Sequence, residues 1–268
     1  MSDTTFAAIN GYYADFSNLI YFSRFEANLI EHLAIKKASY LIYPSKWASE
    51  SAINDYQAAP EKIFTFPMGA NIDYIPDDEQ IAVKQRIDKI RLLFVGVDWD
   101  RKGGQIAVDA VQFLEQMGIP ASLTIVGCQP PFDFIHPNVT VIPFLNRNVL
   151  AERQQLFDLY LNSDIFILPT RAECMGIVFC EAAAFGLPCF ASSTGGIPAV
   201  IEHGKTGYLF SLDAEGFDYA EEIAKLWQDP TKFFEMVKAS REKFKNQLNW
   251  DAWGKEAANV LDCAAIKV

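Results

Sequence analysis

From residue 91 onward the chain alternates short, continuous apolar runs with longer stretches whose apolar residues recur at helical spacing. The runs 91–97 (RLLFVGV), 121–126 (ASLTIV), 164–168 (DIFIL) and 188–192 (PCFAS) read as strands buried on both faces. A short strand is expected over 139–143 and an edge strand over 207–210 (GYLF). Between them 103–117 is predicted helical, with Ile106, Ala110, Val111 and Leu114 on one side. Helices are also predicted over 153–161 and 176–185, the second stopping before Gly186-Leu187-Pro188, and most of the chain from Glu215 onward reads as helix. Strands separated by helices of about ten to fifteen residues form βαβ units, so the fold class is α/β: a doubly wound parallel sheet with helices on both faces. Such sheets bind ligands beyond the carboxyl ends of their strands. The loops after Val97, Val126, Leu168 and Ser192 are therefore where chemistry is expected.

The first 63 residues break this rhythm. A helix over 28–38, a buried-type strand over 39–43 (SYLIY) and a helix over 46–56 are too few elements to cover both faces of a sheet. They read as the end of a second Rossmann-like domain whose beginning lies outside the sequence. The turn-rich stretch 64–76 is the candidate hinge, followed by a polar helical run to Lys89. The expected division is thus 1–70 for the partial first domain and hinge, 71–248 for the complete one, and 249–268 for a closing helix that packs back on the first part.

Composition narrows the function classes. Half of the 268 residues are apolar and 21% are charged, as in an ordinary folded protein. The formal net charge is −11 and no large Lys/Arg cluster is present, which excludes nucleic acid as a partner and disfavours a grip on anionic lipid. Cys128, Cys174, Cys180, Cys189 and Cys263 are scattered with no metal-ligand spacing, and no signal-peptide pattern is seen, which points to free thiols in the cytoplasm. The most apolar stretch, 176–191, contains Glu181 and Pro188 and is too short to span a bilayer. His32, His136 and His203 share no ligand spacing, and Trp250 with Trp253 is expected in the core. No metal or cofactor is expected.

Three loops could carry chemistry. In 95–104 (VGVDWDRKGG), Gly96 and the Gly103-Gly104 pair allow close backbone approach, and Lys102 beside Arg101 adds charge at a helix start, features that suit a diphosphate or merely a turn with two solvated cations. In 168–181, Glu173 lies in the loop after a strand and Glu181 about a turn inside the next helix, whose start Gly176 leaves bare. A carboxylate there either accepts hydrogen bonds from a ribose diol or complements the helix dipole at the surface. In 192–198 (SSTGGIP), Gly195 and Gly196 form a binding loop or only a tight turn.

Together these segments resemble a known family. The spacing Glu173-x7-Glu181 resembles the E-x7-E motif of retaining glycosyltransferases of family 4, which have the GT-B fold of two facing Rossmann-like domains. The segments FVGVDWDRKGG (94–104), LTIVG (123–127), DIFILPTRAECMG (164–176), EAAAFGLPCFASSTGGIP (181–198) and HGKTGYLF (203–210) are similar to family segments in the same order. The resemblance implies a nucleoside-diphosphate-sugar donor, an acceptor hydroxyl on a glycan, lipid or small molecule, and metal-independent transfer with retention. It implies that Glu181 binds the ribose and that Glu173 contacts the sugar with the amides of Cys174, Met175, Gly176 and Ile177. Lys102 would neutralise the diphosphate. Gly96, Gly195 and Gly196 would line the donor, and the loop 141–146, with Phe144, would face the base. The chain departs from the family where Val97 and Asp98 follow Gly96 in place of an Arg, a role Arg101 is expected to take, and where Ala199 replaces a common acidic residue. The family's first hundred or so residues are absent, so a donor-binding module working with a separate chain is the alternative function, and self-association through the incomplete part is expected. Peripheral membrane attachment is expected if the acceptor is a lipid.

Overall fold

The computed structural model describes residues 3–82, 89–131 and 136–265. The chain opens with α1 (Phe6–Ile9) and α2 (Tyr21–Lys37), followed by β1 (Leu41–Tyr43), α3 (Lys46–Asn54) and β2 (Ile63–Thr65). Strands β1 and β2 pair in parallel, Leu41 opposite Ile63, and a small core of Ile35, Tyr43, Ala48, Ala52, Tyr56 and Ala58 closes over them. Helix α2 begins about two turns before the expected Asn28. No side chain caps its start at Ile20, and its first two turns place Tyr21, Phe22 and Phe25 in solvent, so neither a cap nor an amphipathic contrast marked them.

The larger body begins with α4 (Asp78–Ala82); the rest of the helical run expected to reach Lys89 lies mostly outside the described residues. Then come β3 (Ile90–Val95), the single turn α5 (Trp99–Lys102), α6 (Gly104–Gln116), β4 (Ala121–Val126), β5 (Val139–Ile142), α7 (Leu150–Asn162), β6 (Ile165–Leu168) and α8 (Ile177–Ala184). After them follow β7 (Cys189–Ser192), α9 (Ile197–Val200), β8 (Gly207–Phe210), α10 (Gly216–Gln228), α11 (Pro230–Asn246) and α12 (Trp250–Ala265). The six strands pair in parallel in the order β5-β4-β3-β6-β7-β8. Every residue of β6 and β7 is buried, so both faces of the sheet are covered, as the continuous apolar runs predict. Rings of Phe157, Tyr160, Phe166, Phe179 and Phe185 pack together around α7, α8 and β6, with Tyr160 and Phe185 stacked nearly parallel at 5.3 Å and Phe179 edge-on to Phe166.

Successive strands are added outward from β3 to β5, and the chain then returns to lay β6 on the other side of β3. The order reverses between β3 and β6, and the crevice at their carboxyl ends is where the loops holding Lys102 and Glu173 meet. The opposite ends of the same two strands are locked together: Asp164 accepts from the Arg91 backbone N–H (2.8 Å), Nε (3.0 Å) and Nη2 (2.8 Å).

One expectation is corrected at the chain's end. Trp250 is 41% exposed and Trp253 half-buried, so the pair is not a core element. The two rings meet edge-to-face and lie over the 66–71 segment, with Trp253 5.9 Å from Phe66 and Trp250 Nε1 donating to Asn71 Oδ1 (3.1 Å). The candidate hinge segment is also tied to the larger body. Arg241, 7% exposed, donates to the carbonyls of Ala184 and Pro76 (2.5 Å each) and to Asp78, tying α11 to the chain just after the hinge.

Candidate functional site

The β3 loop supplies the first wall of the crevice. Gly96 ends the strand, and a Cβ there would lie 3.1 Å from Lys102 Cγ, so the bare glycine gives the lysine stem room to lie along the strand end. Asp98 adopts φ +77°, uncommon for a residue with a side chain, and caps α5 by accepting the Arg101 N–H (3.1 Å). Its carboxylate also holds Arg101 Nε (3.2 Å), while Arg101 Nη1 donates to the Ala172 carbonyl (3.2 Å). Gly103 is required as glycine: its φ is +75° and a Cβ would meet the Pro169 carbonyl oxygen at 2.2 Å. That contact presses the β3 loop onto the β6 loop, which is also tied by Arg171 N–H to the Arg101 carbonyl (2.7 Å).

The β6 loop is the second wall. Lys102 Nζ forms an ion pair with Glu173 Oε2, both side chains almost enclosed. The two charged residues that local sequence placed 71 positions apart are thus brought together at the switch point. Gly176, in a left-handed conformation, precedes α8 and no side chain caps that helix; the Phe179 N–H turns back to the Gly176 carbonyl (2.9 Å), which leaves those of Ile177 and Val178 uncapped at the helix start. Ile177 is half-buried there. Met175 turns its side chain inward, where its sulfur accepts the Met68 N–H (3.3 Å), so only its backbone can serve a ligand.

The Gly195-Gly196 turn has a definite structural duty. A Cβ on Gly195 would lie 1.9 Å from the Glu173 carbonyl oxygen, and one on Gly196 2.0 Å from that of Cys174. The turn abuts the Glu173 loop backbone to backbone, closing the third side of the crevice. Two residues that the sequence did not single out reach the same place. The Tyr12 hydroxyl accepts the Glu173 N–H (2.9 Å) and bonds Thr194 Oγ1 (2.8 Å), and the Tyr13 hydroxyl accepts the Cys174 N–H (2.9 Å). Burial pushes the hydroxyl pKa of both above the ordinary tyrosine value, and burial raises the Cys174 thiol as well.

Behind the loop, Glu181 is 1% exposed, which removes the surface reading of this carboxylate. Its charge is met by Arg147 from the β5–α7 loop, in a two-pronged contact of 2.6 Å and 2.7 Å, and by the Tyr160 hydroxyl at 3.1 Å. The carboxylate keeps Arg147 firmly protonated, and burial first, then Glu181, holds the Tyr160 hydroxyl far above its usual pKa. Arg147 was missed because nothing local marks it; only the fold sets it beside a residue 34 positions on. Phe144, in the same loop, stands 67% exposed and touches none of these groups. The ion pairs Lys102–Glu173, Arg101–Asp98 and Arg147–Glu181 each balance, and the α8 N-terminus adds positive potential beside them.

The remaining candidates have local duties. His203 Nδ1 accepts the Leu209 N–H (3.1 Å), His136 Nδ1 accepts that of Asn138 (3.2 Å), and His32 is exposed. Cys128, Cys174, Cys180 and Cys189 are free, and the Cys263 side chain lies outside the described part. Among the described residues no group of three His, Cys, Asp or Glu could hold a metal ion, and no helix is long and apolar enough to cross a membrane. A groove of about 1060 Å³ between Phe64, Phe66, Trp250 and Trp253 lies apart from the crevice, none of whose charged residues line it.

The family model described as Glycosyl transferases group 1 matches residues 89–229, just over half of the chain. The chain belongs to this family. Asp98, Arg101, Lys102, Arg147, Glu173 and Glu181 lie within the matched span, whereas Tyr12 and Tyr13 lie outside it. Among curated proteins, the N-acetyl-alpha-D-glucosaminyl L-malate synthase of Bacillus anthracis is 27% identical over 86% of this chain and 58% of that protein. A GDP-mannose-dependent alpha-(1-6)-phosphatidylinositol monomannoside mannosyltransferase of Mycobacterium tuberculosis is 29% identical over 60% of this chain and 44% of that one. The chain therefore spans less than two thirds of the length of these relatives. Solved glycosyltransferases share its architecture. Sucrose-phosphate synthase from Thermosynechococcus elongatus aligns with a TM-score of 0.71 at 19% identity, over 98% of this chain and 67% of that one. HepE of Anabaena, solved with UDP and glucose, aligns at a TM-score of 0.66 and 19% identity, over 88% and 67%. The GT-B-type α/β fold expected for a member of this family is the fold it has.

Proposed function

We propose that this chain is the donor-binding portion of a glycosyltransferase that takes a sugar from a nucleoside-diphosphate sugar and passes it to an acceptor hydroxyl with retention. The observation that carries this reading is the crevice at the β3–β6 switch point, where Lys102 and Glu173 face an uncapped helix N-terminus with a fully buried glutamate behind it. A diphosphate fits such a helix end, which offers free N–H groups and positive potential. Lys102 would transfer part of its contact from Glu173 to the departing diphosphate, stabilising charge as it develops, without a metal. Glu173 would hold the sugar, and Glu181, with Arg147, would face the ribose. The three ion pairs must exchange partners as an anion arrives, so binding is expected to weaken with salt. Relatives whose names specify GDP-mannose, and a neighbour solved with UDP, support a nucleotide-sugar donor. The free thiols fit a cytoplasmic protein.

The two-stranded β1–β2 sheet favours a second reading, in which the chain binds donor and a separate chain presents the acceptor. Turnover by the isolated chain would exclude it.

Calorimetric titration with UDP, GDP, ADP and their sugar conjugates tests the donor site. One nucleotide should bind, EDTA should leave its affinity unchanged, and Lys102→Met should weaken it about tenfold or more. A folded chain that binds none of them contradicts the proposal.

A further inference from the structure

The segment carrying Tyr12 and Tyr13 lies across the mouth of the crevice and reaches all three of its loops. Tyr12 accepts the Glu173 N–H (2.9 Å), donates toward the Glu173 carbonyl (3.3 Å) and bonds Thr194 Oγ1 (2.8 Å), so its single proton and both lone pairs are engaged. Tyr13 accepts the Cys174 N–H (2.9 Å), donates to the Cys174 sulfur (3.5 Å), and its ring lies under the Arg101 guanidinium at 5.5 Å. The two rings meet edge-to-face at 5.3 Å, and Tyr12 packs on Trp47 at 5.0 Å, so the pair is held by the N-terminal core rather than by the crevice itself. The Glu173 loop belongs to no helix or strand. Its backbone is fixed from below by the Gly195-Gly196 turn and from above by these two hydroxyls. A Cβ on Gly195 would meet the Tyr12 hydroxyl at 2.6 Å as well as the Glu173 carbonyl, which shows how little slack the three parts have.

We propose that Tyr12 is a positioning residue for the donor sugar: its hydroxyl holds the Glu173 backbone so that the Glu173 carboxylate stands beside Lys102, facing the sugar. Tyr13 does the same for the Cys174 amide. The inference rests on the donor-site reading and deepens it. The hydrogen bonds of Tyr12 go to Glu173 and Thr194, and those of Glu181 to Arg147 and Tyr160. Loss of the Tyr12 hydroxyl should therefore be felt in how much the sugar adds to binding, not in how the nucleotide binds.

The test is the ratio of two affinities, that for a nucleotide sugar over that for the matching nucleoside diphosphate, measured by calorimetry with UDP-glucose and UDP and with GDP-mannose and GDP. Tyr12→Phe keeps the ring on Trp47 and removes only the hydroxyl; its thermal midpoint is recorded alongside to confirm the fold. The wild type should bind the sugar conjugate more tightly than the diphosphate. The variant should bind the diphosphate as the wild type does and lose about tenfold on the sugar conjugate. An unchanged ratio in Tyr12→Phe overturns the inference, as does an equal loss on both ligands, which would mark a general structural role. A wild type that binds both ligands alike also overturns it while leaving the nucleotide site standing. A wild type that binds neither refutes the donor-site reading itself.

Discussion

Arg147 leaves 39% of its side chain in solvent, yet both of its terminal nitrogens are committed to a carboxylate that water hardly reaches. Breaking such a pair from one side strands a charge, which costs far more than the pair contributes when intact. Arg147→Ala should therefore lower the unfolding free energy by about 3 kcal/mol in urea denaturation. Adding Glu181→Gln, which removes the orphaned charge, should return much of that loss, and two simply additive losses would contradict the account. The same reasoning separates what was legible at this scale from what was not. Glu173 and Glu181 stand out because strand, loop and helix are consecutive there, so local pattern alone sets their places. Arg147, Tyr12 and Tyr13 lie 34 to 182 positions from the groups they bond, and no local rule could announce them.

At the scale of elements, strands buried on both faces were readable because a continuous apolar run has few other uses, and β4 was located to the residue. Ends were less legible. Helix α7 starts at Leu150 rather than at Arg153, with Val149 in place of a capping side chain and an exposed leucine at its first position. Packing among elements also depends on charges that the pattern ignores. Lys243 of α11, 8% exposed on its side chain, pairs with Glu202 (3.0 Å) at the turn leading to β8, and Lys205 pairs with the same carboxylate (2.9 Å). Hydrogen bonds from Lys205 and then Lys243 hold the Glu202 pKa below the usual carboxylate value. A depressed folded pKa gives stability that is present above the unfolded value of about 4.3 and is lost as pH falls through the folded one. Thermal midpoints measured against pH should show Glu202→Gln below wild type near pH 7 and the two curves drawing together as pH falls below the unfolded carboxylate value. A gap that stays constant over that range would rule the linkage out.

Taken whole, the molecule pairs a well-covered α/β body with an N-terminal part that leaves apolar surface open. Ile20, Tyr21, Phe22, Phe25, Leu29, Ile30 and Leu33 are each at least 43% exposed along α2. A contiguous apolar face of this kind drives association. Light scattering of this chain should show self-association that rises with concentration, reduced by Phe22→Ser with Phe25→Ser. A clean monomer at high concentration would contradict that expectation. The extent of this face was not legible in the sequence, because polar and apolar residues of the first turns of α2 alike face solvent and leave no buried side to announce a helix.

The central claim is that the crevice at the carboxyl ends of β3 and β6 receives the diphosphate of a nucleotide. Amide chemical shifts of isotope-labelled protein, followed through titration with UDP and with GDP, test it most directly. One nucleotide should move the amides of Gly96, Gly103, Gly104, Gly176, Ile177 and Val178, with the backbone of Arg147 following as its ion pair rearranges. Shifts confined to the Trp250–Trp253 groove, or a folded spectrum that neither nucleotide changes, would contradict the account.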